Sequence, residues 1–217
     1  MNFADYPYAE NIANSLTHGV GVLMFMVLCP MLIATAVLTA YNRKITGSVI
    51  FSFGLLAVYL SSTLFHAMPD EVTRDILHYF DLCSIYLLIS GTYTPFLLIY
   101  FRSKLGKFLL IVVWALTAIG ITMQLVSENI PFFFTLIVYI GMGWIGLFLI
   151  KPAILKLKPP VLILLLAGGI AYTAGTYFIY HDSEVWYYHA IWHLFVLAGS
   201  MAHFWAVYLA LKDKVRN

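Results

Sequence analysis

Seven long apolar runs, separated by short polar segments, dominate the hydrophobic pattern of the chain. The runs are continuous, whereas the strands of a membrane barrel would alternate apolar and polar residues over about ten positions. A helix satisfies all of its backbone hydrogen bonds within one segment, as the hydrocarbon interior of a membrane requires. The pattern therefore predicts seven transmembrane helices, at about Leu16–Ala40, Gly47–Ala67, His78–Phe101, Lys107–Val126, Phe132–Ile150, Val161–Tyr180 and Tyr188–Leu211.

The composition agrees with this pattern and excludes other classes of protein. Of the 217 residues, 62% are hydrophobic and 10% are charged, against roughly 45–50% and 25% in soluble domains. Seven spans of about 20 residues leave no room for a soluble domain. We therefore expect one all-α domain over residues 1–217, with a short N-terminal segment (1–15) and a short C-terminal tail (212–217), in the cell membrane. The net charge of +2 offers no basic stripe for a nucleic acid.

The basic residues divide unequally between the two sides of the predicted bundle. Eleven of the twelve Lys and Arg residues fall on the side of the C-terminus, and only Arg74 falls on the side of the N-terminus. Cytoplasmic loops are enriched in Lys and Arg. The charge distribution therefore predicts a cytoplasmic C-terminus and an external N-terminus.

A few polar residues lie inside the spans, where ionisable groups are costly and usually functional. Ser62 and His66 lie four residues apart near the end of the second helix, and His189 and His193 have the same spacing at the start of the seventh. Asp81 lies one turn into the third helix. Residues four apart share one helix face, and all five lie at the same membrane level.

This combination predicts a zinc site. Three histidines plus a water form one of the known catalytic zinc sets, and a helical i, i+4 pair supplies two of the ligands. His66, from another helix, can supply the third. Asp81 could instead pair with a histidine structurally. The four other histidines, His18, His78, His181 and His203, are interpreted as interfacial or packing residues.

Four segments also resemble a known family: Glu10–Gly19, Ser61–His66, Asp81–Phe96 and His189–His203. Together they are similar to the hemolysin III branch of the progestin and adipoQ receptor family, seven-helix proteins within a wider group of membrane hydrolases that includes alkaline ceramidases. The resemblance implies a zinc ion held by His66, His189 and His193. It also implies an aspartate (Asp81) that reaches the metal through water, the serine Ser62, and a cytoplasmic N-terminus, opposite to the charge distribution.

The leading functional hypothesis is a zinc-dependent intramembrane hydrolase linked to membrane homeostasis. Asp81 would move the proton of the attacking water, and Ser62 would stabilise the oxyanion or orient a ligand. Membrane lipids are the expected substrates, and the resemblance alone suggests a ceramide-like amide. Three alternatives stay open: a non-catalytic sensor or receptor with structural zinc, a pore-forming cytolysin, and a serine hydrolase that uses Ser62, His66 and Asp81. The sequence does not predict the oligomeric state.

Overall fold

The computed structural model describes residues 8–127 and 130–213, which form helices and short connections without a strand. Seven helical segments in this part of the chain are long and apolar enough to cross a membrane, as predicted. The helices, in chain order, are α1 Tyr8–Val37, α2 Asn42–Ala67, α3 Glu71–Ile99, α4 Lys104–Val126, α5 Phe132–Trp144, α6 Ile150–Lys156, α7 Pro159–Tyr180 and α8 Tyr188–Lys212. A 3₁₀ segment, Ile145–Leu149, joins α5 to α6, and the three together form the fifth span. Parts of the predicted segments 1–15 and 212–217 lie outside the described residues.

Several helices begin before the apolar run that predicted them. The third begins at Glu71 rather than His78 because Asp70 caps its first turn. The Asp70 carboxylate accepts hydrogen bonds from the Thr73 hydroxyl (2.6 Å) and the Thr73 amide (2.8 Å). These bonds hold the pKa of Asp70 below its ordinary value. Polar helical turns of this kind extend past the hydrocarbon region, so an apolar run marks the buried length of a helix rather than its ends.

The fifth span departs from the prediction in a second way, because it is not one regular helix and it continues to Lys156 instead of ending at Ile150. The 3₁₀ segment interrupts the α-helical hydrogen bonding from Ile145 to Leu149. The Tyr93 hydroxyl accepts a hydrogen bond from the Gly146 amide (3.0 Å) and donates one to the Gly143 carbonyl (2.5 Å). A side chain of α3 therefore satisfies backbone groups that the break would leave unpaired, as a membrane interior requires.

Helices that follow one another in the chain pack antiparallel, with α2 between α1 and α3 and with α8 against α7, and α8 also packs against α1, to which it is parallel. Glycines permit the closest contacts: a Cβ at Gly54 would lie 3.0 Å from the Cα of Leu88, and one at Gly175 would lie 2.7 Å from the Trp192 ring. Small residues at such points let helices approach closely in membranes. This packing places the start of α1 and the start of α8 side by side.

The bundle has two ends of different chemistry. We call the end where α1, α3 and α8 begin and α2 finishes the histidine end, because His18, His66, His78, His189 and His193 lie there. The opposite end, where α2, α4 and α7 begin and α8 finishes, is called the lysine end, after Lys44 and Lys158.

Candidate metal centre

Three buried histidines from two helices meet at the histidine end. His66 lies in the last turn of α2, while His189 and His193 lie in the first two turns of α8. One ligand nitrogen from each ring lies within 4.8 Å of the other two. The Nε2 atoms of His66 and His189 are 3.1 Å apart, close to the roughly 3.3 Å expected for two nitrogens on one tetrahedral zinc ion. The cluster could therefore bind a metal ion.

Hydrogen bonds at the far nitrogens orient two of these rings. His189 Nδ1 lies 2.9 Å from Oδ2 of Asp182, and His193 Nδ1 lies 3.1 Å from the carbonyl oxygen of Asn14. Because both partners are acceptors, the Nδ1 atoms carry the protons and the Nε2 atoms keep their lone pairs. Metal-bound histidines usually have such a partner on the second nitrogen. The histidine nitrogens that face one another in the cluster are therefore suited to bind a metal ion.

Asp182 is a residue of the candidate site that the sequence analysis missed. It lies in the connection between α7 and α8, and its side chain is only 2% exposed. Asp182 and His189 are seven residues apart in the sequence, and turn residues lie between them. The periodicity of a helix therefore does not predict their contact. The only sequence signal is an acidic residue at the same membrane level as the predicted ligands.

Ser62 and Asp81, the two predicted catalytic residues, line one cavity together with His193. Ser62 is fully buried, and its hydroxyl oxygen lies 3.5 Å from Nε2 of His193. The serine triad needs Ser62, His66 and Asp81 in contact. Ser62 contacts Asp81 and His193, whereas Nε2 of His66 faces His189, so this geometry does not build the triad. Asp81 is partly buried and lines the cavity at the histidine end.

His18, predicted to be a packing or interfacial residue, packs against the metal cluster. It is 3% exposed and its ring stacks on His193, with centroids 3.6 Å apart and planes 17° from parallel. It therefore borders the candidate site, which its sequence position alone did not predict. His78 contacts Phe65 and lines the cavity. His203 lies deeper, with Nε2 3.1 Å from the Leu165 carbonyl oxygen.

The first helix also holds the start of α8 in place. The buried carboxylate of Glu10 accepts a hydrogen bond from the Tyr187 amide (2.7 Å), at the residue that caps α8. Tyr187 has a φ of 64°, a left-handed conformation that is unusual for a tyrosine. The Thr17 hydroxyl lies 3.0 Å from Nδ1 of His193. Residues of α1 thus fix both the start of α8 and one of its histidines.

A cavity of about 260 Å³ leads from the cluster into the bundle. His18, Ser62, Asp81, His189 and His193 line it at the histidine end, and the rest of its lining is mainly apolar. Along α3 it extends from Asp81 to Leu97, roughly 24 Å at 1.5 Å per residue. The hydrocarbon core of a membrane is about 30 Å thick. The cavity therefore crosses most of that thickness, and all the histidines and acidic residues that line it, except His203, lie at the histidine end.

Comparison with known proteins places this geometry in a family. Residues 6–204 match the family described as "Haemolysin-III related". The chain is 41% identical over 198 residues to the "Hemolysin-3 homolog" of Bacillus subtilis (strain 168), covering 91% of this chain and 92% of the relative. It is 37% identical over 198 residues to "Hemolysin-3" of Bacillus cereus, with 91% and 90% covered.

A more distant relative connects the chain to an animal protein. Human "Monocyte to macrophage differentiation factor" is 27% identical over 211 residues, covering 92% of this chain and 83% of that protein. No solved structure matches the chain significantly. The family match, the two bacterial relatives and the seven apolar helices show that this chain is a multi-pass integral membrane protein and belongs to the haemolysin III-related family, in the hemolysin III branch of the progestin and adipoQ receptor family.

Proposed function

We propose that the protein is a zinc-dependent hydrolase that cleaves a lipid within the membrane. The observation that carries the proposal is the cluster of His66, His189 and His193, whose ligand nitrogens lie within 4.8 Å of one another at the polar end of an apolar cavity. A structural zinc site would be closed by a fourth protein ligand, whereas a catalytic site keeps one position open. Here the three histidines adjoin a space that a substrate could enter.

Zinc is the metal best suited to these ligands, since three imidazoles with one open position are a known catalytic set. When bound, zinc would polarise the carbonyl of the substrate and lower the pKa of a bound water to about 7. Asp182 and the Asn14 carbonyl would hold His189 and His193 in the tautomers that bind a metal.

Asp81 and Ser62 are assigned the proton transfer and the stabilisation of charge. In this proposal the Asp81 carboxylate accepts a proton from the attacking water and later returns it to the leaving group. The Ser62 hydroxyl donates a hydrogen bond to the oxygen on which negative charge develops. Both side chains line the cavity beside His193, so one substrate group could reach both.

The shape of the cavity supports a lipid as the substrate. An acyl chain could lie along α3 between Asp81 and Leu97, among apolar side chains, with its polar group at the histidine end. Such a pocket, mainly apolar with a few convergent polar groups, is typical of ligand sites. Membership of a family that resembles the ceramidase group favours an amide-linked lipid.

The experiment compares wild type with Asp81→Asn, using purified protein in vesicles of phosphatidylethanolamine and phosphatidylglycerol that contain N-palmitoyl sphingosine. Released palmitate and all other lipids are measured by mass spectrometry, and zinc is measured on the same samples. Asp81→Asn should retain zinc while hydrolysis falls by roughly 10²–10⁴, the usual contribution of a general base. Asp75→Asn is the matched control, because Asp75 is an exposed acid on the same helix.

Two results would contradict this assignment. If Asp81→Asn loses zinc as completely as a histidine variant, Asp81 is a metal ligand and the site is closer to a structural one. If Asp81→Asn keeps both zinc and full hydrolysis of the lipid, Asp81 is not the general base. A wild-type protein that holds zinc but hydrolyses no lipid would rule out the hydrolase and favour the non-catalytic sensor.

A further inference from the structure

His18 has a buried ring whose polar atoms are not fully satisfied by the described part of the chain. Its side chain is almost fully buried, and the backbone of His193 approaches it, but no hydrogen bond of ordinary geometry reaches either ring nitrogen among those residues. Its contacts are through the ring, by stacking on His193 and by an edge contact with Tyr59 at 4.9 Å. Unpaired buried polar groups are rare in native structures, and each one calls for a missing partner such as a ligand or water.

The neighbouring turn of α1 has the same property. Asn14 lies four residues earlier on the same face of the helix and is fully buried. Its backbone carbonyl contacts His193, but both polar atoms of its side-chain amide have no hydrogen-bond partner among the described residues. One face of α1 therefore carries two donor–acceptor side chains, both unpaired, beside the metal cluster.

The position of His18 indicates what its missing partner is. The imidazole lines the cavity together with Ser62 and Asp81, at the end where the polar group of a bound lipid would lie. The ring of His18 stacks on His193 with centroids 3.6 Å apart, so His18 lies beside the histidine cluster. A group held at the metal and a group held by His18 would thus belong to the same region of one ligand.

We propose that His18 is a substrate-recognition residue that hydrogen-bonds the carboxamide of an amide-linked lipid. This inference rests on the lipid cavity of the proposed function and names the substrate class. A neutral imidazole has one donor and one acceptor. A secondary amide offers a carbonyl and an N–H group, so it can pair with a donor and with an acceptor. An ester has no donor, so the acceptor nitrogen of His18 would stay unpaired.

The proposal predicts discrimination by a binding site rather than by catalysis. A site built to hydrogen-bond a polar group rejects the analogue that lacks it, because its own buried groups are then left unpaired. His18 should therefore contribute to the affinity for an amide and contribute little to the affinity for a hydrocarbon of the same length.

The test measures binding of two matched probes, N-methylpalmitamide and methyl palmitate, which differ only by N–H in place of O. Hexadecane serves as the third probe. Binding is followed by tryptophan fluorescence, since Trp144 and Trp192 line the cavity. All proteins are zinc-loaded and carry Asp81→Asn to slow turnover. His18→Phe keeps a flat ring and removes both nitrogens, and His18→Gln keeps one donor and one acceptor.

We expect His18→Phe to weaken binding of the amide about five- to tenfold, the factor for one lost hydrogen bond. Binding of hexadecane should not change, and His18→Gln should restore much of the preference for the amide over the ester. If the Phe variant does not fold, His18→Met gives the same comparison. An unchanged amide-to-ester ratio in either apolar variant would overturn the proposal, and so would loss of zinc, because His18 would then be a metal ligand.

Failure of the proposed function gives a different result. If wild type hydrolyses no lipid but prefers the amide in a manner that depends on His18, the hydrolase is wrong and the recognition role stands. If lipid is hydrolysed but His18→Phe leaves the amide-to-ester ratio unchanged, the hydrolase stands and the role of His18 is overturned.

Discussion

Helix α8 is held at both ends by buried polar groups, but the two ends are built differently. At the histidine end, Glu10 binds the amide of Tyr187 and Asp182 binds His189. At the lysine end, the buried Lys44 Nζ donates to the carbonyl oxygens of Leu211 (2.6 Å) and Asp213 (2.9 Å). A cation at the last carbonyls of a helix satisfies its unpaired acceptors and suits its dipole.

The polar groups of the lysine end form a connected set. The carboxylate of Asp213 forms an ion pair with Lys158 and accepts a hydrogen bond from the Tyr100 hydroxyl (3.0 Å). Burial, followed by the charge of Asp213, raises the pKa of Tyr100 above its ordinary value, so the hydroxyl stays protonated and remains a donor. These groups bond to one another and to backbone carbonyls.

At the histidine end, by contrast, polar side chains line a cavity, namely those of His18, Ser62, Asp81, His189 and His193. The polar groups of the lysine end do not line it, namely Lys44, Tyr100, Lys158 and Asp213. Buried polar atoms without a partner among the described residues occur at both ends, in His18 and also in Tyr41, so the contrast lies in the cavity. The comparison teaches that buried polar groups anchor α8 at both ends, and that those of the histidine end also face a space that a ligand could occupy.

The orientation of the two ends in the membrane is the sharpest all-or-none prediction. Nine of the ten basic residues in the described part of the chain lie on the side of the lysine end, which predicts that this end faces the cytoplasm. A C-terminal reporter that is active only in the cytoplasm should therefore be active. A reporter active only outside the cell would reverse the prediction and agree with the arrangement that the family resemblance implies.

The next largest effect is expected at Asp182, whose carboxylate contacts the second ring nitrogen of His189. Asp182→Asn should weaken zinc affinity by about 10–100-fold, the typical cost of losing a carboxylate that orients a ligand histidine. Zinc affinity is measured by competition with a chelator of known affinity. Glu184→Gln is the matched control, because Glu184 is an exposed acid in the same connection. Equal affinities in both variants would show that the Asp182 contact does not orient His189.

A smaller effect, on stability rather than on zinc affinity, is expected at the lysine end. Lys44→Met should lower the free energy of unfolding by about 1–2 kcal/mol, because two carbonyls at the end of α8 lose a charged donor, and zinc content should not change. Unfolding is followed by titration with a denaturing detergent. Arg43→Met is the control, since Arg43 is adjacent and exposed. If Lys44→Met lowers zinc content while stability is unchanged, the two ends are not separate in function.

The sequence predicted the parts of this molecule that follow from local periodicity. Continuous apolar runs predicted the seven spans, and the i, i+4 spacing of His189 and His193 placed two imidazoles on one face because a helix repeats every 3.6 residues. The common membrane level of His66 and Asp81 could be inferred from the up-and-down order of the helices.

The residues that sequence analysis missed depend on which helices become neighbours and on the path of connections. His18 joins the site because α1 packs against α8, a pairing that no pattern within either helix encodes. Asp182 reaches His189 through a non-helical connection. The break in the fifth span is stabilised by Tyr93 of another helix, so an apolar run alone predicted a regular helix there.

The central claim is that three histidines bind one zinc ion, and metal analysis of purified protein tests it most directly. Wild type should contain about one zinc per chain, and His66→Ala, His189→Ala and His193→Ala should each lose nearly all of it, because two remaining imidazoles hold zinc poorly. His203→Ala, which removes a buried histidine bonded to the Leu165 carbonyl outside the cluster, should keep the wild-type content. A wild-type protein without zinc, or full zinc content in the His193→Ala variant, would contradict the account.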